Sequence, residues 1–336
     1  MDTPTLRWGV LSTANIGRVA VNPAIQTSAN GTLAAVASRD ADRAREFATA
    51  HGIPRHYGSY DALLADAEVD AVYIPLPNSL HAPWTIRAAE RGKHVLCEKP
   101  LALTAAECRE MQRAADANGV KLMEAFMYRF HPRTMQAVSL AQGGALGDVR
   151  SIRSAFTFRL TTPENIRLNA SLGGGALMDV GCYCVNVSRT VAGVEPVEVQ
   201  AWATWHAGGV DAELSGSLRF ASGLVAQFDC ALTRERREVY EVAGTDACIT
   251  VDSGFLPGTG DVAIVERRGR NEPVLHTSAG VDEYRLMVEH FADCALHNRP
   301  LRYTAHEAAQ NMAVIQALYR SARDGGRPMP VAAVGG

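Results

Sequence analysis

Over the first 125 or so residues, short apolar runs and amphipathic stretches alternate in a regular order, and that alternation limits the fold more than any other feature of the chain. An apolar run at 6–11 precedes a helical pattern at 15–26. A second run at 32–37 precedes a helix at 40–51, where Asp40 stands as an N-cap. A short helix at 60–66, a run at 71–74, a helix at 79–91 and a run at 94–97 follow. Thr104, with Glu107 three residues on, reads as a capping box for a helix that stops at Asn118-Gly119, before a last run at 121–125. Strand–helix alternation at this spacing predicts an α/β unit built on a doubly wound parallel sheet.

After about residue 127 the strand signals come in succession, at 148–160, 197–206, 212–220, 225–233, 238–242 and 247–251, separated by turns such as Ala221-Ser222-Gly223 and Gly244-Thr245-Asp246. One helix at 175–191 interrupts them, two more at 281–297 and 305–324 close the chain, and the tail 331–336 is expected to fray. This predicts a second, α+β domain with a large, mainly antiparallel open sheet. The expected boundaries are 1–127 and 128–336. On that sheet Val199, Ala201 and Ala203 alternate with Trp202 and Thr204, so both faces carry apolar residues. A second copy covering the outer face would give a homodimer or homotetramer; a solvated outer face is the alternative.

Composition removes several functional classes. The 33 Lys and Arg against 36 Asp and Glu leave a net charge of −3, without the basic excess of a nucleic-acid binder. No apolar run approaches the ~20 residues that span a bilayer, and 1–7 carries no basic-then-apolar leader, so a cytoplasmic location is expected. The seven cysteines form no C-x-x-C pair, which argues for reduced, buried thiols rather than a disulfide framework or zinc site. His51, His56, His81, His94, His131 and His206 lack the H-E-x-x-H spacing of a zinc hydrolase, and no metal is expected. Only Lys93, Lys99 and Lys121 are lysines, which singles out each compact, titratable ammonium.

Four segments carry chemistry. Gly9-Val10-Leu11-Ser12-Thr13-Ala14-Asn15-Ile16-Gly17 sits between the first strand and helix, where the fingerprint of a dinucleotide-binding (Rossmann) unit belongs. Aligned on Gly17, Ser12 and Ala14 hold the two earlier glycine positions; both are small, so a pyrophosphate can still approach the helix N-terminus, against the alternative of an ordinary turn. The second strand ends Ala37-Ser38-Arg39-Asp40. An acid there would hold the ribose 2′-hydroxyl of NAD. Ser38 and Arg39, with Arg43 one turn on, instead suit the 2′-phosphate of NADP, unless Arg39 is merely solvated and Asp40 merely a cap. Cys97-Glu98-Lys99-Pro100 ends a parallel strand, the edge at which such sheets bind ligands, and Pro100 restricts the backbone of Lys99. The ammonium could orient a substrate oxygen and help move its proton; an exposed loop lysine is the alternative. Finally, Gly173-Gly174-Gly175 opens a helix on which Asp179 and Tyr183 stand four apart, one carboxylate and one phenol for a hydroxyl substrate. A neighbouring cation such as Lys99 would be needed for the phenol to act as a base near neutral pH. A purely structural Asp179 is the competing reading.

Taken together these segments resemble the glucose-fructose oxidoreductase / inositol dehydrogenase / rhizopine-catabolism (Gfo/Idh/MocA) oxidoreductases. The resemblance runs through 8–17, Ala71 to His81 (AVYIPLPNSLH), Gly92 to Leu101 (GKHVLCEKPL), Glu124 to Pro132 (EAFMYRFHP) and 173–184, nearly the whole chain. It implies that Lys99, Asp179 and Tyr183 are catalytic. It implies that Ser12, Thr13, Ala14, Asn15 and Ile16 meet the pyrophosphate and Ser38 and Arg39 the 2′-phosphate. Pro75, Leu76, Asn78 and His81 then flank the ribose and nicotinamide, with Glu98 and Lys99 bordering the latter. Arg129, His131 and Arg167 fall in segments that line the substrate pocket. No histidine follows Asp179 before Val191, so the Asp/His pair of the inositol branch is not supported. Ser12 and Ala14 in place of glycines suit the xylose and dihydrodiol dehydrogenase branch.

The expected activity is NADP(H)-dependent hydride transfer between nicotinamide and a pyranose or related polyol, oxidising an aldose such as xylose or glucose at C1. Reduction of a ring ketone on an activated sugar is the alternative within the class. A non-catalytic NADP-binding regulator is the alternative outside it, against which Lys99, Asp179 and Tyr183 argue.

Overall fold

A computed structural model describes residues 4–335, and the chain divides into two units. In the first, β1 (Leu6–Leu11), β2 (Gly31–Ala37), β3 (Arg55–Tyr57), β4 (Ala71–Ile74), β5 (His94–Cys97) and β6 (Leu122–Glu124) form a parallel sheet in the order β3-β2-β1-β4-β5-β6. The central strands β1 and β4 are buried almost throughout, as strands covered on both faces must be. Strand order reverses between β1 and β4, which opens the crevice where doubly wound sheets take ligands.

The helices are α1 (Asn22–Thr27), α2 (Ala41–Ala50), α3 (Tyr60–Leu64), α4 (His81–Glu90) and α5 (Ala105–Ala117). A π turn at Gly17–Val21 joins α1 to a helical start at Asn15. The caps read from sequence are present. Asp40 accepts from the amides of Asp42 and Arg43 at 2.9 and 3.1 Å. Thr104 accepts from Glu107 at 3.1 Å, while Glu107 takes the amide of Leu103 at 2.8 Å.

In the second unit, α6 (Pro132–Gln142) precedes β7 (Val149–Arg159), and a π turn at Leu177–Gly181 leads into α7 (Cys182–Ala192). Then come β8 (Glu198–Trp205), β9 (Asp211–Arg219), β10 (Val225–Ala231), β11 (Thr233–Gly244), β12 (Cys248–Asp252), β13 (Val262–Arg267) and β14 (Val274–Ser278). After two helices, α8 (Glu283–Leu296) and α9 (Ala305–Arg323), the strand β15 (Met329–Pro330) completes a nine-stranded sheet ordered β14-β13-β12-β11-β7-β10-β9-β8-β15. Every neighbouring pair is antiparallel except β7 and β10. The outer face departs from expectation. Trp202 is exposed there, but mid-sheet the outward positions hold Arg153, Gln227, Asp229, Arg237 and Glu241 around a groove of about 410 Å³, so the face is largely polar.

The expected boundary at 127/128 coincides with the first division, but the second domain does not run unbroken to the C-terminus. Asp282–Ala309, holding α8 and the start of α9, belongs to the first unit. The reason is packing. Phe291 lies against Trp8 with ring centroids 5.2 Å apart, Asn30 donates to the Glu289 carbonyl at 2.9 Å, and Tyr303 meets Phe126 edge-on at 5.9 Å.

Candidate active site

The turn after β1 keeps the backbone of the glycine it lacks: Ser12 has φ +147°, a conformation L side chains rarely adopt. Thr13, Ala14 and Ile16 are half-buried, and Asn15 is exposed at the helix start, where the first amides of a helix have no partner within it. Arg39, exposed just past the end of β2, and the Ser12 hydroxyl lie close enough to the Tyr60 hydroxyl to favour its ionised form. Tyr60 is buried edge-on against Trp84 at 4.9 Å, and burial raises its pKa above the usual 10. Three loops thus bring a guanidinium and two hydroxyls together at the strand ends. Ser38 is buried and takes the amide of Asp40 at 3.3 Å, and Arg43 is exposed on α2. Asp40 is engaged in its cap, so the carboxylate nearest the ribose position already has two donors. This donor set, cationic and with one oxygen of Asp40 taken by the cap, fits a 2′-phosphate better than a 2′-hydroxyl.

Lys99 and Glu98 stand half-buried after β5, ahead of a cis bond to Pro100. The fully buried Tyr73 donates to Glu98 at 2.6 Å, anchoring the segment from beneath. Pro75 and Leu76 are buried, and Asn78 is half-buried in a short turn.

His81 is placed otherwise than expected. It is fully buried, with Nδ1 2.9 Å from the Pro100 carbonyl and Nε2 2.8 Å from that of Leu76. It offers no surface to a cofactor; it ties the loop after β4 to the loop carrying Lys99. Burial lowers its pKa.

In the second unit the glycine run has a mechanical explanation. The amide of Gly175 donates to the Arg167 carbonyl at 2.8 Å, and a Cβ on Gly174 would strike that same carbonyl. The Arg167 side chain then reaches Asp179, Nε to Oδ2 at 2.6 Å. The loop at 165–175 is therefore fastened to the helix by backbone and by an ion pair, and Arg167 and Asp179 meet as a pair.

Tyr183 is buried in an aromatic cluster, 5.4 Å from Phe156 and Phe255 and 5.8 Å from Tyr128. The π turn at Leu177–Gly181 widens the step between Asp179 and Tyr183, and the two side chains have different neighbours. Arg129 is half-buried in the turn at 127–130.

His131 also departs from expectation. It is fully buried, and its Nδ1 caps α6 by accepting from Arg133 at 3.1 Å. Burial and the adjacent Arg133 push its pKa down to about 4, so it is a neutral structural group rather than a surface for substrate.

Sequence reading missed Tyr60, which no motif marks, and Tyr73, which stands inside the segment Ala71 to His81 without a role of its own; the fold brings them to Arg39 and Glu98. All seven cysteines are free and six are buried. Among the described residues no cluster of three or more His, Cys, Asp or Glu could hold a metal, and no helix is long and apolar enough to cross a membrane.

Comparison with known proteins shows the family. Residues 6–126 match the model of the oxidoreductase family with an NAD-binding Rossmann fold, and 134–250 match the GFO/IDH/MocA C-terminal domain. The chain is 42% identical over 322 residues to D-xylose 1-dehydrogenase (NADP(+)) 2 of Haloferax volcanii, covering 95% of this chain and 98% of that one. Its fold superposes on the aldose-aldose oxidoreductase of Caulobacter crescentus, complexed with glycerol, with TM-score 0.90 and 31% identity, covering 97% and 99% of the two chains. A 3-ketoreductase from Actinomadura kijaniata in complex with NADP and TDP-benzene gives TM-score 0.90 at 28% identity, covering 94% and 98%.

Proposed function

The chain belongs to the Gfo/Idh/MocA oxidoreductases, and from that premise we propose that it oxidises a pyranose aldose at C1 with NADP. The observation that carries the reading is the gathering of Arg39, Ser12 and Tyr60 at the strand ends while Asp40 is engaged elsewhere. The sugar class follows from the end-to-end likeness to D-xylose 1-dehydrogenase (NADP(+)) 2. NADP, when bound, supplies the hydride acceptor.

The chain's own residues supply the rest. The turn from Ser12 to Ile16 holds the pyrophosphate with backbone amides, and Arg39, Ser38 and Arg43 hold the 2′-phosphate. Tyr183 takes the proton of the hydroxyl being oxidised. Lys99 is assigned to the same oxygen, its ammonium favouring the negative charge that develops there as the proton leaves. Asp179, paired with Arg167, orients a second hydroxyl. Arg129 is assigned to the sugar as well. The seven free cysteines suit a reducing, cytoplasmic setting. We assign the outer face of the nine-stranded sheet, with Trp202 and its groove, to self-association as a dimer or tetramer, to be read by light scattering.

The test has two parts. Fluorescence titration should give tighter binding of NADPH than of NADH; equal affinity refutes the cofactor assignment. A panel of aldoses with NADP, run beside ketosugars with NADPH, should give turnover in the aldose arm. Turnover confined to the second arm selects the ketosugar reductase reading, which the likeness to the 3-ketoreductase supports. No turnover in either arm, with cofactor bound, leaves the regulator.

A further inference from the structure

Asp211 opens β9 fully buried, and its two oxygens hold two distant parts of the chain. Oδ2 accepts from the amide of Leu177 at 2.7 Å, and Oδ1 accepts from the Tyr319 hydroxyl on α9 at 2.7 Å. Leu177 lies in the first turn of the helix that carries Asp179 and Tyr183, where amides have no partner of their own. Gly175 presses on the same group: a Cβ there would run into the Asp211 carboxylate and the Tyr319 hydroxyl, and its φ of +119° is glycine's. Asp211 thus joins a continuous series of contacts. It grips Leu177 and abuts Gly175; Gly175 donates to the Arg167 carbonyl; Arg167 pairs with Asp179.

A buried carboxylate is an expensive way to join these segments. Burial pushes Asp211 up to about 6 despite the help of Tyr319, Leu177 and the more distant Arg323. Cys230 on β10, itself buried, is the other titratable group near it. An apolar side chain would pack here at lower cost, but it would leave the Leu177 amide and the Tyr319 hydroxyl without this partner.

We propose that Asp211 is a positioning residue: its grip on the Leu177 amide and the Tyr319 hydroxyl sets the glycine turn and helix start that place Asp179 and Tyr183 against the substrate. The proposal rests on the reading in which those two residues act on a sugar.

The experiment compares Asp211→Ala, Asp211→Asn and Tyr183→Phe in the full chain, with D-xylose and NADP as the assay probe. Asp211→Ala should lower kcat by the order of ~10²-fold, the effect of a small misplacement, with NADPH affinity unchanged. Hydrogen exchange in the peptide 173–183 should quicken, because the Leu177 amide loses its acceptor. Asp211→Asn should restore both: its carbonyl accepts from Leu177 and its NH₂ donates to the Tyr319 oxygen. Native kcat in Asp211→Ala, or a loss of kcat with unchanged exchange, overturns the proposal. If Asp211→Ala does not fold, Tyr319→Phe decides, since it deletes one of the two contacts; native kcat there also overturns it. Tyr183→Phe separates the two levels. Native activity in that variant sinks the sugar-chemistry reading itself, whereas an inactive Tyr183→Phe beside a fully active Asp211→Ala sinks only the role of Asp211.

Discussion

Replacing Asp211 by Asn should stabilise the protein, and the gain should depend on pH in a way the structure dictates. The folded chain holds this carboxyl near 6, against an ordinary aspartate value of 3.8. A raised carboxyl pKa means that the folded state binds the proton more tightly than the unfolded state. Below 3.8 both states are protonated and nothing is lost. As pH rises from about 4 to 6 the unfolded chain releases its proton first, so the wild-type fold loses stability across that window and stays lowered above it. The roughly two pH units between the values, at ~1.36 kcal/mol each, make ~3 kcal/mol. The loss is under ~1 kcal/mol at pH 4, ~2 at pH 5 and ~3 above pH 7. Asparagine keeps both hydrogen bonds and has no charge to bury, so it escapes the whole term. At ~2–4 °C per kcal/mol, thermal unfolding by circular dichroism should give a Tm for Asp211→Asn ~6–12 °C above wild type at pH 7.5, shrinking toward zero at pH 4. A Tm difference that is flat with pH, or wild type the more stable at pH 7.5, would refute the reasoning.

Four further outcomes follow from the same geometry. Arg39→Asp should reverse the cofactor preference, because the new carboxylate repels a 2′-phosphate and accepts from a 2′-hydroxyl; NADPH and NADH titrations read this directly. Ser12→Gly should be ~1 kcal/mol more stable than Ser12→Ala in thermal unfolding, since both lose the hydroxyl but only glycine relieves the φ of +147°. Lys99→Ala should lose turnover while NADPH titration stays close to native, the lysine being assigned to the substrate oxygen. Tyr183→Phe keeps the ring among Phe156, Phe255 and Tyr128, so the fold should survive while kcat falls by ~10²–10⁴-fold and one limb of the pH–rate profile disappears.

What was legible in the sequence is what local chemistry determines. Asp40 and Thr104 cap helices because a short polar side chain reaches amides two or three residues on, and that geometry is written in the spacing. The buried strands of the parallel sheet read as unbroken apolar runs. The edge of the second sheet did not read: β14, VLHTS, alternates exposed and half-buried positions and lacks the apolar stripe that betrays a strand. Helix α6 was missed for a related reason, since its cap is a histidine rather than a Ser, Thr, Asp or Asn. The return of α8 to the first unit depends on Phe291 finding Trp8 across most of the chain, which no local pattern encodes.

The misplaced histidines share one physical cause. His81 and His131 stand inside motifs that resemblance assigns to ligands, and a motif gives position along the chain without giving depth. Both rings turn out to be buried. His81 joins the carbonyls of Leu76 and Pro100, and His131 caps α6. A buried polar ring is held where it finds hydrogen-bond partners, at both nitrogens near carbonyls for His81 and at Nδ1 alone for His131, whose Nε2 is left without one, so each marks a place where the fold holds a loop fixed. Tyr73 under Glu98 and Asp211 under Leu177 do the same for the segments carrying Lys99 and Asp179. Tyr73 contacts Glu98 directly, Asp211 reaches Asp179 only through Gly175 and Arg167, and both anchors are sealed from solvent. A catalytic lysine or carboxylate works only if its backbone does not wander, and such anchoring limits that wandering at the cost of burying polar groups. Residues of this kind sit in a motif without touching ligand, or touch the motif from far away in sequence, and burial together with hydrogen-bond geometry tells the two apart.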